Sequence, residues 1–247
     1  MLKNKNLVVT GSSRGIGKAV ISVCVKYGAN VWACMRQPSI ETEKEFSGLE
    51  KEYGVEINPV YFDFSDESAV EAGAKEILSY KLRIDGIVNN VGITGESKLF
   101  SMTSIQSIRD VFEVNFFMPM LFTQKLLRNM IRNKNGAIVN VSSVAALDGE
   151  PAQFGYVSSK AAVAGATKKL ASELSSFGIR VNAVAPGITD TDMITDMQEL
   201  LKEETLHKTI MQRLAEPEEI AETIAFLLSE KSSYITGQVL RVDGGGK

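Results

Sequence analysis

Short runs of almost unbroken apolar residues alternate along this chain with longer stretches whose apolar positions recur at helical spacing. Residues 7–10, 30–35, 56–62, 84–91, 137–142, 179–185 and 239–242 read as strands. Residues 15–27, 40–53, 66–80, 104–132 and 156–176 read as helices, the first of them stopped by Gly28. Pro217, followed by Glu218 and Glu219, opens a last helix, since proline is tolerated in a first turn and acidic groups favour a helix N-terminus. Pro119 predicts a bend or interruption in the long fourth helix, because it has no N–H to give. Strands that are apolar at successive positions are covered on both faces, as in parallel sheets. Strand–helix alternation then implies right-handed crossovers and one doubly wound α/β domain over residues 1–247, with a parallel sheet of about seven strands. Residues 188–212 are more polar, with several Thr and Asp and with Met193, Met197 and Met211. They follow the sixth strand, and open α/β sheets bind ligands beyond their C-terminal strand ends. This stretch is a candidate substrate lid; the alternative is a surface helical hairpin.

Charge narrows the partners. Lys and Arg number 27 against 30 Asp and Glu, a net charge of −3, so no basic surplus points to nucleic acid. The apolar stretch at the N-terminus is too short for a signal peptide or a membrane span, and a cytoplasmic protein without membrane contact is expected. Cys24 and Cys34 lack CxxC spacing and read as reduced, structural thiols. His207 has no partner pattern for a metal, so no metal site is expected.

The run Thr10-Gly11-Ser12-Ser13-Arg14-Gly15-Ile16-Gly17 lies between the first strand and the first helix. Gly11 can make a tight turn, while Gly15 and Gly17 let backbone approach a phosphate and let helix pack on strand. The helix then offers unpaired N–H groups to a pyrophosphate. Its spacing, GxxxGxG after Thr, resembles the fingerprint of the short-chain dehydrogenase/reductase family. Asn89-Asn90-Val91-Gly92 is similar to that family's NNAG, with Val91 in place of the usual Ala. Tyr156 and Lys160 match its YxxxK, and Pro186-Gly187 matches the PG after its sixth strand. The resemblance runs through the whole chain and implies a Rossmann-type fold that binds a nicotinamide cofactor. It implies cofactor contacts at Gly11, Ser12, Ser13, Arg14, Gly15, Ile16, Gly17, Phe64, Tyr156, Lys160, Thr189 and Thr191, with Asp63 at the adenine and Asn90 at the adenosine ribose. Members that bind NAD usually carry an acid at the end of the second strand; here that position is Met35, followed by Arg36. Arg36 and Arg14 suit the 2′-phosphate of NADP(H), which guanidinium groups grip through charge-assisted hydrogen bonds. The plainer alternative is two solvated arginines.

Four residues form the catalytic constellation that the resemblance implies. Tyr156 and Lys160 stand one turn apart on a helix and share a face. A fixed cation favours a phenolate, so Lys160 is expected to lower the pKa of Tyr156 from its ordinary value near ~10. Ser143, by its spacing to Tyr156, matches the serine that polarises a substrate carbonyl, and Asn115 matches a helix asparagine that holds a water linked to the lysine. The implied reaction is hydride transfer to a ketone, with Tyr156 as proton donor. Within the family the pattern is most similar to 3-oxoacyl-[acyl-carrier-protein] reductases, through the Gly-rich loop, Gln153, Thr191-Asp192-Met193 and the run from Ile235 to Gly245. Of two basic positions expected to dock an acidic carrier, one is Lys134 and the other falls on Phe177. A sugar-derived, steroid-like or secondary-metabolite ketone is the alternative substrate, and a non-catalytic NADP-sensing regulator a remote one. The family usually forms homotetramers; the helices at 104–132 and 156–176, with Ala161, Ala162, Ala164 and Ala166 on the second, and the stretch 235–245 would carry that assembly.

Overall fold

The computed structural model describes residues 1–148, 152–191 and 209–246. Seven parallel strands form one sheet in the order β3-β2-β1-β4-β5-β6-β7. They are β1 (Asn6–Thr10), β2 (Asn30–Met35), β3 (Ile57–Tyr61), β4 (Gly86–Asn89), β5 (Gly136–Val141), β6 (Ile179–Pro186) and β7 (Val239–Val242). The order reverses direction between β1 and β4, which opens a crevice at the C-terminal strand ends.

The helices are α1 (Gly15–Lys26), α2 (Ile40–Tyr53), α3 (Glu67–Ser79), α4 (Ile105–Phe112), α5 (Met118–Asn133), α6 (Ala145–Asp148), α7 (Phe154–Leu174) and α8 (Pro217–Leu228). Two buried clusters cover the two faces of the sheet. On one face lie Val20 and Cys24 of α1, Phe46 of α2, and Ile220, Ile224 and Leu228 of α8. On the other lie Val70 and Ile77 of α3, Phe122, Leu126 and Met130 of α5, and Leu174 of α7. Cover on both faces explains why successive strand residues are apolar. Cys24 and Cys34 are buried, unpaired thiols whose pKa burial pushes up, Cys24 to about 12.

Helix ends follow local chemistry. The Ser39 hydroxyl caps α2, and Gly54 closes it at φ +65°. The Asp66 carboxylate caps α3 by accepting from the N–H groups of Ser68 and Ala69. Glu216 and Glu219 form a reciprocal capping box on α8, with Pro217 in its first turn.

Two boundaries differ from the sequence reading. The fourth strand was expected over 84–91, but β4 is shorter at both ends. The Ile84 N–H donates to the Asn129 side chain, and the N–H groups of Asn90 and Val91 both donate to the Thr10 hydroxyl, so these donors leave the ladder. The fourth helix was expected to be bent or interrupted near Pro119. Its break comes earlier, in a wide π-turn over Glu113–Phe117 that closes with the Met118 N–H donating to the Glu113 carbonyl. Pro119 instead sits in the first turn of α5, where it cannot supply the i→i−4 bond to the Asn115 carbonyl. The last helical turn before it is therefore free to widen, as π-turns at functional positions do. Most of the expected lid, 188–212, lies outside the described residues, as does His207; its described ends are held by bridges from Thr189 to Ala215 and from Thr209 to Gly246.

Candidate active site

At the C-terminal end of β1, Gly11 (φ +65°) and Gly15 (φ +52°) turn the chain into α1. A Cβ built on Gly17 would lie 2.1 Å from the Gly11 carbonyl oxygen and 2.5 Å from Asn90 Nδ2, so α1 meets the turn with no room for a side chain. The Asn90 amide donates to the carbonyls of Thr10 and Gly11 at 3.0 Å each and braces the loop from β4. Unlike α2, α3 and α8, helix α1 has no side-chain cap and no acid in its first turn. Its N-terminus starts just past the C-terminal end of β1 without an acid in the turn to offset the helix dipole, which fits the pyrophosphate of a dinucleotide.

The other expected cofactor residues surround this loop in different ways. Ser13, Arg14 and Arg36 are exposed, Ile16 half-buried, and Met35 buried. Ser12 is fully buried and its hydroxyl donates to the Cys34 carbonyl at 3.0 Å, tying the loop to β2. The Asp63 carboxylate accepts from the N–H and hydroxyl of Ser65 just past β3. Phe64 packs its ring against Phe62 and Phe122, leaving only its backbone near the crevice. Thr191 comes over the loop from the other side, its Cγ2 3.1 Å from where a Gly15 Cβ would stand, while the Thr189 hydroxyl donates to the Gly187 carbonyl.

Ser143, Tyr156, Lys160 and Asn115 converge at the ends of β4 and β5. Ser143 lies two residues past β5, with its hydroxyl near enough to that of Tyr156 to act on its pKa. Lys160 is buried; its Nζ lies 5.9 Å from the centre of the Tyr156 ring and donates to the Val141 carbonyl at 2.8 Å. Asn115 accepts from the Ile93 N–H through Oδ1, and donates through Nδ2 to the Ile93 carbonyl and the Ser159 hydroxyl. Ser159 in turn donates to the Tyr156 carbonyl, so the amide of Asn115 ties the loop after β4 to α7. Gly92 separates Lys160 from Asn115: a Cβ there would sit 3.2 Å from Nζ and 3.3 Å from Oδ1.

Burial sets the titration of this group. It pushes the Tyr156 hydroxyl up, opposed in part by the Ser143 hydrogen bond. It pulls the Lys160 ammonium down to about 8. The expectation of a lowered tyrosine is therefore not met: desolvation of the phenolate is the largest cause and acts upward.

Some positions that support the site had no such role in the sequence reading, Asn89 figuring there only within its motif. Asn89 and Asn140 stand opposite each other in the β4–β5 register and are hydrogen-bonded at 2.9 Å. Asn140 donates on to Thr167 of α7 at 2.8 Å, and Asn89 donates to Thr123 of α5 at 2.9 Å, so a buried polar row pins both helices beneath the site. Ser159 was also missed, although its place three residues after Tyr156 puts it on the same helical side. Lys134 and Phe177 are both exposed, but they precede β5 and β6 and so lie at the opposite end of the sheet from Ser143.

Known proteins share this sequence and fold. A family model described as enoyl-(acyl carrier protein) reductase matches residues 11–247. The 3-oxoacyl-[acyl-carrier-protein] reductase of Chlamydia muridarum is 38% identical over 99% of this chain and 98% of its own length. That of Thermotoga maritima is likewise 38% identical over 99% of this chain and 98% of its own length. Among solved structures, a short-chain type dehydrogenase/reductase from Mycobacterium ulcerans superposes with a TM-score of 0.91 at 29% identity, covering 99% of this chain and 90% of that one. A levodione reductase superposes equally, TM-score 0.91 at 30% identity, over 99% and 98%. The chain belongs to the short-chain dehydrogenase/reductase family. It is an oxidoreductase acting on CH–OH groups with a nicotinamide cofactor. No helix among the described residues is long and apolar enough to cross a membrane.

Proposed function

We propose that this chain uses NADPH to reduce a ketone to a secondary alcohol, and that the ketone is a 3-oxoacyl group carried as a thioester on acyl carrier protein. The observation that carries the reductase chemistry is the pairing of the Ser143 and Tyr156 hydroxyls beside a buried lysine. NADPH, when bound, supplies the hydride to the carbonyl carbon. Two hydroxyls converge on the carbonyl oxygen: Ser143 hydrogen-bonds it as negative charge develops, and Tyr156 gives it a proton. The raised pKa of Tyr156 keeps it a donor at neutral pH, and Lys160, titrating near 8, returns the proton from solvent. Asn115 holds the loop after β4 and α7 in register around Lys160, and its main-chain carbonyl, to which Pro119 cannot donate, suits a relaying water. Gly11, Ser13, Arg14, Gly15, Ile16, Gly17, Asp63, Asn90, Thr189 and Thr191 would hold the dinucleotide, with Arg36 on its 2′-phosphate.

The carrier-bound substrate is supported by the names of the curated relatives, not by a docking pair, since Lys134 and Phe177 lie at the far end of the sheet. A free ketone is the second reading, favoured by the levodione reductase superposition. The small residues Ala161, Ala162, Gly165 and Ala166 on the outer side of α7, with Ala164 turned to the core, and exposed Ile105 and Phe117 suit assembly as a homotetramer.

Acetoacetyl thioesters of acyl carrier protein and of a small thiol, assayed by NADPH oxidation with a crotonyl thioester and NADH in parallel, test the proposal. The acetoacetyl carrier ester with NADPH is expected to turn over fastest. Arg36→Asp should lower kcat/KM for NADPH by roughly ten- to a hundredfold and favour NADH, because charge-assisted hydrogen bonds to phosphate contribute about 1.5–3 kcal/mol. Turnover of the crotonyl ester alone would replace ketone reduction with double-bond reduction.

Titration gives a separate check. Only the protonated Lys160 can pass a proton to Tyr156, and its pKa is lowered to about 8, so reduction should fall as pH rises through about 8. Tyr156, shifted upward, stays protonated across that limb. A profile of kcat/KM for NADPH, which reports groups of the free enzyme, should show this alkaline limb. A plateau continuing to pH ~10, the ordinary lysine range, would remove Lys160 from the proton path.

A further inference from the structure

We propose that Arg241 is a positioning residue for the ketone end of the site, acting through Asp148 to fix the turn that carries Ser143. The assignment of Ser143 to the ketone rests on the reading above; the clasp itself rests on contacts.

Helix α6 is a single turn that starts two residues after Ser143, and it has no buried side chain. Packing, against α7, holds it only in part. Its own backbone bonds are local; the bonds to β6 lie before it, where the Ser142 and Val144 N–H groups on either side of Ser143 donate to the Val184 and Pro186 carbonyls. Downstream, Ala152 (φ +71°) and Gln153 (φ +53°) hold left-handed backbone just before α7, a conformation that persists only where surroundings enforce it.

Arg241, on the edge strand β7, anchors the far end of this turn. Its NH1 and NH2 donate to the two carboxylate oxygens of Asp148 at 2.6 and 2.8 Å, the planar fork-to-fork arrangement. Its Nε donates to Asp243 Oδ2 at 2.7 Å, and Asp243 Oδ1 accepts from the Gly245 N–H. The guanidinium is thus fixed from both sides and cannot swing away from Asp148. Isolated surface ion pairs contribute little, but bidentate pairs within a network are the exception. The same C-terminal turn bonds the chain that returns towards α8: the Ile210 N–H donates to the Gly245 carbonyl and the Met211 N–H to the Gly244 carbonyl. The end of β7 therefore holds two segments at once, and residues 93 apart in sequence meet there.

Arg241→Met, Asp148→Asn and the double variant test this in the full-length protein. Each single change should lower ketone kcat/KM by roughly ten- to a hundredfold, carried by kcat, as expected when a reacting group is misplaced by about an ångström. The NADPH dissociation constant should be unchanged, and the double variant should lose no more than either single one. Amide exchange over residues 144–148 should quicken at least tenfold in all three, with the strands unaffected. Additive losses, unchanged kcat/KM beside a working wild type, or unchanged exchange in that turn would each overturn the proposal. A wild type inactive on every ketone but with quickened exchange in the variants would support the clasp and refute the reductase reading instead.

Discussion

Replacing Tyr156 by phenylalanine will lower ketone reduction by about 10²–10⁴-fold, the usual contribution of a positioned general acid. The ring of Tyr156 stays in place in this variant, because only the hydroxyl is removed. NADPH affinity should hold within a few-fold, since the glycine turn and α1 lie on β1, apart from α7. The loss should appear in kcat and kcat/KM alike, the sign of an interaction made only in the transition state. Removing the hydroxyl also deprives Ser143 of its partner in the pair. Ser143 would still hydrogen-bond the carbonyl, which sets the residual rate above that of water. Steady-state NADPH oxidation combined with fluorescence titration of NADPH separates the two effects. A variant that kept a tenth or more of the wild-type rate would mean another group delivers the proton.

How far this site was legible in the chain depended on the range of the forces involved. The β1–α1–β2 unit could be read because its signals are local: an apolar run, a glycine turn, then apolar positions at helical spacing. Tyr156 and Lys160 could be read because one helical turn joins them. The residues that hold these groups were less visible. Asn140 lies within an apolar strand, and only the parallel register sets it opposite Asn89. Asp148 and Arg241 meet through the fold alone, with no spacing to announce them. The interruption expected near Pro119 was legible, but its form, a π-turn around Asn115, was not, because proline marks where a bond is lost while the chain widens over the turn before it. Ser12 shows the converse: its position in the glycine loop suggests a cofactor contact, yet its hydroxyl is spent on the Cys34 carbonyl. The charge of Lys160 could be read from sequence, but its burial, and hence its pKa near 8, could not.

Gly17→Ala tests the nucleotide end as sharply as Tyr156 tests the ketone end. The added methyl would lie 2.1 Å from the Gly11 oxygen, 2.5 Å from Asn90 Nδ2 and 2.8 Å from the Gly11 carbonyl carbon. Neither of the Gly11 atoms belongs to a flexible side chain, so the loop or α1 must move. Movement of Gly11 would break the bonds from Asn90 that brace the turn and would turn the first N–H groups of α1 away from the pyrophosphate. Overpacking of this kind costs about 1–3 kcal/mol of stability, a drop in Tm on the order of 5 °C for a domain of this size. The loss in cofactor affinity should be larger, at least a hundredfold, because several N–H contacts to one charged group fail together. Gly48→Ala is the control: it lies in α2, nothing stands within 4 Å of its would-be Cβ, and alanine is the better helix former. It should raise Tm slightly and leave NADPH binding untouched. Calorimetric titration with NADPH and thermal melting of both variants give the comparison. Equal affinity in the two would show that the dinucleotide does not sit on this loop.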